Sequence, residues 1–378
     1  MRTLTLARLA VFGAVWLTAG APTLGQSDGA GSNPPAAEAT KNVFSFDLLI
    51  QERYDDNILE LSQRDIDRVE SGNFTPGRFL ISTPDDFITN LVGRVRWTGK
   101  PWTRRETRIA LAAEANWYAQ NDVKNYQSYG VSIAQELTAS KKHLSQLRLS
   151  VTNMPEFYDR QLTDDDASVA AQHRIREPSR FRETNYWLAY DQDFIADRFD
   201  GRLALDHRRR NYNEFFPERD NSRNTVAVTL GGRPFKSYRF GLQGTAGLGR
   251  LQARAELDFT DIPDDDISYD WTLFGFSTAV PWPGGRGGHF EAEINWEKRT
   301  YTTDNKFDLT RYGRHDDRLT WRAGIVQRLP AGLELIAYYE RETNDAHWPL
   351  FAIPSDDTTD FTAARFSVAL RWRTSVGK

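Results

Sequence analysis

Between Phe87 and Tyr118 the chain alternates apolar and polar residues twice, on either side of the connection GKPWT. In the first arm Phe87, Leu91, Val95 and Trp97 share one face of a period-two strand, and Asn90, Arg94 and Arg96 share the other. In the second arm Ile109, Leu111, Ala113, Ala115 and Trp117 oppose Arg108, Glu114 and Asn116. Glycine and proline in the connection supply turn residues, so the stretch predicts an antiparallel hairpin. Each arm is long enough for a tilted strand to cross a bilayer, with Trp97 and Trp117 where hydrocarbon meets headgroups. A half-buried hairpin of a soluble sandwich would alternate in the same way.

The same period recurs along the chain. A first strand at Val43 to Arg53 sets Phe44, Phe46, Leu48 and Ile50 against Ser45, Asp47 and Gln51. A last one at Phe361 to Arg373 sets Phe366, Val368, Leu370 and Trp372 against Arg365, Ser367, Ala369 and Arg371. A long charged loop is expected from Met154 to Arg180, and the ninth strand, within Tyr238 to Phe259, changes parity at GTAGLG and predicts a bulge. The short connections GKPWT, SKKH, FIADR, PGGRGG and PAG alternate strictly with long ones. A sandwich has no reason to sort its connections by length. The expected fold is therefore all-β: a transmembrane antiparallel up-and-down β-barrel of about 14 strands, with 12 to 16 compatible with the length, over residues 43–373. Residues 374–378 follow as a tail. An even count puts both termini and the tight turns on the periplasmic side.

Composition fits this reading. A mean hydropathy of −0.60 and 26% charged residues suggest solubility, yet 12% of the chain is aromatic. A barrel gives only every second strand residue to lipid, which keeps hydropathy low while its interface girdles collect aromatics. Residues 1–25 carry Arg2 and Arg8, no acid, and the apolar run LAVFGAVWLTAGA, so they read as a cleavable signal for the Sec pathway. Residues 26–42, rich in Gly, Pro, Ala and Ser, read as a flexible periplasmic lead. The absence of cysteine excludes disulfides and thiolate metal sites. A net charge of −4 argues against nucleic acid as a partner.

The exit from the first strand, RYDDNILEL, and the re-entry STPDDFITNLVGRVRW resemble the opening of bacterial outer-membrane β-barrels, including barrels associated with exopolysaccharide export. The C-terminus departs from that family's terminal aromatic, because Trp372 is followed by RTSVGK. The resemblance implies a place in the outer membrane of a Gram-negative-type bacterium, with lipid, lipopolysaccharide and the barrel-assembly machinery as partners. The expected function is porin-like passage of small hydrophilic solutes, biased toward anions. The alternatives are a barrel for polysaccharide or protein export with a periplasmic partner, and a plugged structural or adhesive barrel.

Chemistry is expected in the lumen. Turning the polar phase inward gives the basic set Arg94, Arg96, Arg108, Arg148, Arg202, Arg208, Arg210, Arg365, Arg371 and Arg373, densest on strands fourteen, one, two and three. The acidic set is Asp47, Glu256, Asp258, Glu291, Glu293, Glu297, Glu334, Glu340 and Glu342, mainly on strands nine, eleven and thirteen. Two opposed sectors would set a transverse field across a wet pore; the competing expectation is that the charges pair across neighbouring strands. Arg94, Arg96, Arg365 and Arg371 are expected to converge on one wall screened by Asp47. The acidic runs Asp164 to Asp166 and Asp264 to Asp266, with Asp356 and Asp357, read as solvated loop tips rather than ion sites. No cofactor or metal is expected, since the six histidines show no paired spacing. His207 lies in phase with Leu203 and Leu205 without an in-phase serine on strands six or eight, so no hydrolase is expected.

Overall fold

The computed structural model describes residues 42–72, 79–102, 105–139, 144–163, 176–194, 199–232, 241–254, 266–282, 287–304, 308, 311–348 and 360–377. The expected signal and nearly all of the lead lie outside them. Among the described residues the strands are β1 (Val43–Asp55), β2 (Asp86–Gly99), β3 (Thr107–Tyr118), β4 (Tyr126–Ala139), β5 (Leu144–Thr163), β6 (Arg176–Asp193), β7 (Phe199–Tyr212), β8 (Asn221–Gly232), β9 (Gly241–Ala253), β10 (Tyr269–Pro281), β11 (His289–Tyr301), β12 (His315–Arg328), β13 (Leu333–His347) and β14 (Phe361–Gly377). Each pairs antiparallel with the next, and β1 closes on β14 from Val43 opposite Gly377 to Asp55 opposite Arg365. The chain forms a closed 14-stranded up-and-down barrel.

Alternation decides which face each residue takes. Leu111, Leu230 and Leu248 point outward and are 61%, 61% and 63% exposed, whereas the inward Arg223 and Glu342 are 3% and 4% exposed. This inverts a soluble protein, and it lets one period-two pattern satisfy an apolar surround and a polar interior together. Closure also leaves no sheet edge unpaired.

Four expectations differ from the structure. β9 pairs without a register break to β8 and β10, so there is no bulge within Gly241–Ala253. The apparent change of parity has another cause: Leu251 faces inward and joins Tyr269, Trp271 and Leu273 in an apolar cluster on the lumen wall. β5 and β6 continue as one long hairpin to Thr163 and from Arg176, where a loop was expected, because register shifts at Met154/Phe157 and Tyr158/Arg160 disrupt the sequence period. Connection length is not strictly sorted, since 119–125 and 213–220 at one end are no longer than 100–106 and 233–240 at the other. Finally, β14 runs past Arg373 to Gly377, pairing Ser375 and Val376 with Ser45 and Phe44 of β1.

At the loop end of the barrel, where β1 leaves and β2 returns, a helix α1 (Gln63–Ser71) forms. Ser62 caps its N-terminus by accepting from Asp65 N, and Gly72 ends it at φ 67, a left-handed conformation open to glycine. Ile58, Leu59, Val69 and Ile81 pack beneath it against Ile88 and Tyr158 and hold the segment over the mouth. The Asn57 amide anchors it to the rim, donating to Leu61 O at 2.8 Å and Thr362 O at 3.1 Å.

Candidate functional site

The loop-end half of the lumen encloses a cavity of about 590 Å³ to which every strand contributes, with Ile58, Leu59 and Glu60 from the mouth segment. Its lining carries 13 cationic and 10 acidic side chains. The cavity therefore has the opposite sign to the chain, whose net charge is −4.

On the β12–β13–β14–β1 wall the cations are matched. Arg365 reaches Asp55 at 2.9 Å, Glu340 at 2.9 Å and Glu342 at 2.6 Å. Arg318 pairs with Glu342 and, at 2.8 Å, with Glu60 of the mouth segment, tying that segment to β12. Three carboxylates around one buried guanidinium leave little unpaired field.

On the β6–β7–β8 wall the balance differs. Arg208 and Arg210 share Glu183, at 3.5 Å and 2.8 Å. Arg223 is the direct register partner of Arg208 and lies 3.6 Å from Glu297, beyond hydrogen-bond range. The Nε of both Arg208 and Arg223, and Nη2 of Arg223, are buried and find no acceptor among the described residues. The Arg223 guanidinium sits over the Trp271 ring, 4.1 Å from its centroid. Trp271 fits only because its register partner is Gly249, where a Cβ would lie 2.3 Å from the indole Nε1. Arg210 similarly covers Phe181 at 4.5 Å.

The residues expected from sequence scatter over these walls. Arg371 and Arg373 both approach Asp47, at 3.4 Å each, and Glu334, at 3.6 Å and 3.7 Å. Arg94 is the register partner of Asp47, and Arg96 follows one inward position toward the turn end. Arg365 does not join them. It lies six positions from Arg371 along β14, about 20 Å by strand rise, so the expected four-arginine wall separates into two sites. Arg148 and Arg202 share Asp191 at 2.8 Å and 2.7 Å, and Arg108 meets Glu106 at 2.5 Å. Glu293 pairs with Arg322 at 2.7 Å, and Glu291 accepts from the Tyr338 hydroxyl at 2.5 Å. Glu256 and Asp258 lie outside the described residues. The opposed basic and acidic sectors are not what forms, because Arg299, Arg318 and Arg322 interleave with the glutamates of β11 and β13.

Arg223, Arg318 and Arg322 were not singled out from sequence, although they stand opposite Val226, Leu319 and Trp321 in simple alternation. His207 faces outward, its Nδ1 2.7 Å from Asn224 Oδ1. At the mouth Lys124 donates to Tyr158 O at 3.2 Å, and burial pushes its ammonium down to about 8.

No protein-family model and no curated protein matches the sequence. Solved structures do match. An anion-selective porin from Comamonas acidovorans aligns over 88% of this chain and 100% of its own, at 8% identity and a TM-score of 0.42. A deltaS2 mutant of the TodX monoaromatic hydrocarbon channel aligns over 89% and 90%, at 8% identity and 0.43. A FadL homologue of Pseudomonas aeruginosa aligns over 89% and 90%, at 10% identity and 0.41. The fold rests on the strand pairing itself, and by that pairing the chain is a closed 14-stranded antiparallel β-barrel, similar in architecture to bacterial outer-membrane barrels.

Proposed function

We propose that the protein is an outer-membrane channel of a Gram-negative-type bacterium, exported through Sec, that passes small hydrophilic solutes and favours those bearing an anionic group. The observation that carries this is the Arg208–Arg223 pair: two buried cations in direct register on the cavity wall, with donors that no described residue accepts. Like charges directly opposite destabilise a sheet, and an unsatisfied buried donor adds a further penalty. Water and a passing carboxylate, phosphate or sulfate relieve both, and the guanidinium fork suits such groups. The apolar exterior supports the membrane setting, with lipid, lipopolysaccharide and the assembly machinery as its partners.

The Glu60–Arg318 tie across the mouth favours a second reading, a plugged or partner-gated barrel such as an exporter. Planar-bilayer recording of the mature chain separates the two. Ohmic single-channel steps with a reversal potential on the anion side are expected for the channel. Silence at all voltages moves the assignment to the gated barrel, and cation selectivity overturns the anion preference.

A further inference from the structure

We propose that His315, Asp317 and His347 form a binding site for a transition-metal dication of the zinc class on the outer face of the barrel, at its loop end. In sequence these histidines are far apart. The register of β12 on β13 makes them direct partners and sets Asp317 opposite Asp345 one step below. One donor atom from each of His315, Asp317 and His347 lies within 4.8 Å of the other two. The imidazole centroids are 5.0 Å apart at an interplanar angle of 34°, and His347 Nε2 is 3.9 Å from Asp317 Oδ2.

Three further features favour a cation here. Asp317 is already oriented, because its Oδ1 accepts from Trp296 Nε1 at 3.1 Å while Oδ2 faces His347. Such an outer partner fixes a ligating carboxylate in place. Tetrahedral zinc needs donors about 3.3 Å apart, a closure of up to about 1.5 Å that side-chain rotations supply. The carboxylates of Asp317 and Asp345, on facing positions, repel across the ladder, and a dication offsets that repulsion. Two imidazoles and one carboxylate suit zinc, copper or nickel rather than the all-oxygen shells of magnesium and calcium. A fourth position remains for water, as in three-ligand sites.

The location gives the site a purpose. β12 and β13 are joined at the turn end through Pro330–Gly332, but at the loop end they lead into separate connections, 302–314 and 348–360. A metal held by His315 and His347 clips these two connections at their bases.

The test uses the full mature chain folded in detergent micelles without a polyhistidine tag. Titration with zinc chloride is expected to give one saturable site per chain, and copper(II) loaded there should give an electron paramagnetic resonance spectrum split by two nitrogens. His315→Ala and His347→Ala should each weaken zinc binding about tenfold or more, with heat-modifiable migration unchanged. His207→Ala, elsewhere on the outer face, should leave the affinity as it was. Absence of a stoichiometric site, or zinc binding that survives the double His315→Ala/His347→Ala change, overturns the proposal.

Discussion

Arg365 and Arg223 have the same side chain, are 7% and 3% exposed, and both point into the same cavity, yet they do different things. Arg365 is enclosed by Asp55, Glu340 and Glu342 at 2.6–2.9 Å and joins β1, β13 and β14. Arg223 faces Arg208, rests on Trp271 and stands 3.6 Å from the Glu297 carboxylate. One wall uses its charge to close the barrel; the other leaves buried guanidinium donors that no described residue accepts. Inward placement alone does not distinguish them. Cross-strand register does, because it decides whether a carboxylate or a second guanidinium stands opposite.

The largest effect should come from breaking the matched wall. Arg365→Ala takes the shared cation from buried Asp55 and Glu340 and leaves Glu342 with Arg318 alone, and breaking a buried pair costs about 3–5 kcal/mol. Folding yield by heat-modifiable migration and the urea midpoint by tryptophan fluorescence should both fall steeply. A wild-type midpoint would mean that water already satisfies these carboxylates and that the two walls do not differ.

The unmatched wall should respond the other way. Arg208→Ser with Arg223→Ser removes mutual repulsion, so the fold should survive or gain. Ion selectivity should move toward cations by roughly tenfold in permeability ratio, ~1.4 kcal/mol, which two charges supply at an effective dielectric near 20. Lysine at both positions should retain most of the selectivity. Unchanged selectivity with a destabilised barrel would assign this wall a structural role too.

Arg94→Ser with Arg96→Ser tests an intermediate case. Asp47 already offsets Arg371 and Arg373 beside them, and these partly exposed charges are open to screening by salt. A shift of about twofold in permeability ratio is expected, with migration and expression intact, read from reversal potentials in a salt gradient. A shift exceeding that of the Arg208/Arg223 change would relocate the selectivity wall to β2.

The sequence made the barrel legible because lipid and water sort residues by a period that survives in any single strand. Phe44 to Ile50 and Phe366 to Trp372 show it without knowledge of their neighbours. It failed where apolar residues face inward, as with Leu251 and Trp271, and where glycines at 244, 247 and 249 leave a face unmarked. The inward set was therefore largely readable, but its partners were not. The pairing of Arg365 with Glu340 was foreseeable from neighbouring strands, whereas Arg208 opposite Arg223 depends on a register that the connection 213–220 fixes. His315 opposite His347 is hidden for the same reason.

The smallest effect concerns a cation unlike either arginine, because it can lose its charge. Lys124 is 4% exposed at the mouth, with the Tyr158 carbonyl as acceptor at 3.2 Å and the Phe157 ring 4.4 Å away, while Asp159 and Arg160 act on it with opposite sign. Burial holds it near 8, below the ordinary 10.5, so between those values the unfolded chain binds the extra proton. Stability contributed at this site must therefore rise with pH across that window, and the full penalty of the buried charge is felt below it. Lys124→Met keeps the apolar stem against Phe157 and Tyr158 and removes the titrating amine. Urea midpoints measured from pH 7.5 to pH 10.5 should then climb less steeply in the variant than in the parent, a difference that cancels the other groups titrating in the same range. Parallel pH profiles would show that Lys124 keeps its proton throughout, held there by Asp159 as firmly as Arg365 is held by its carboxylates.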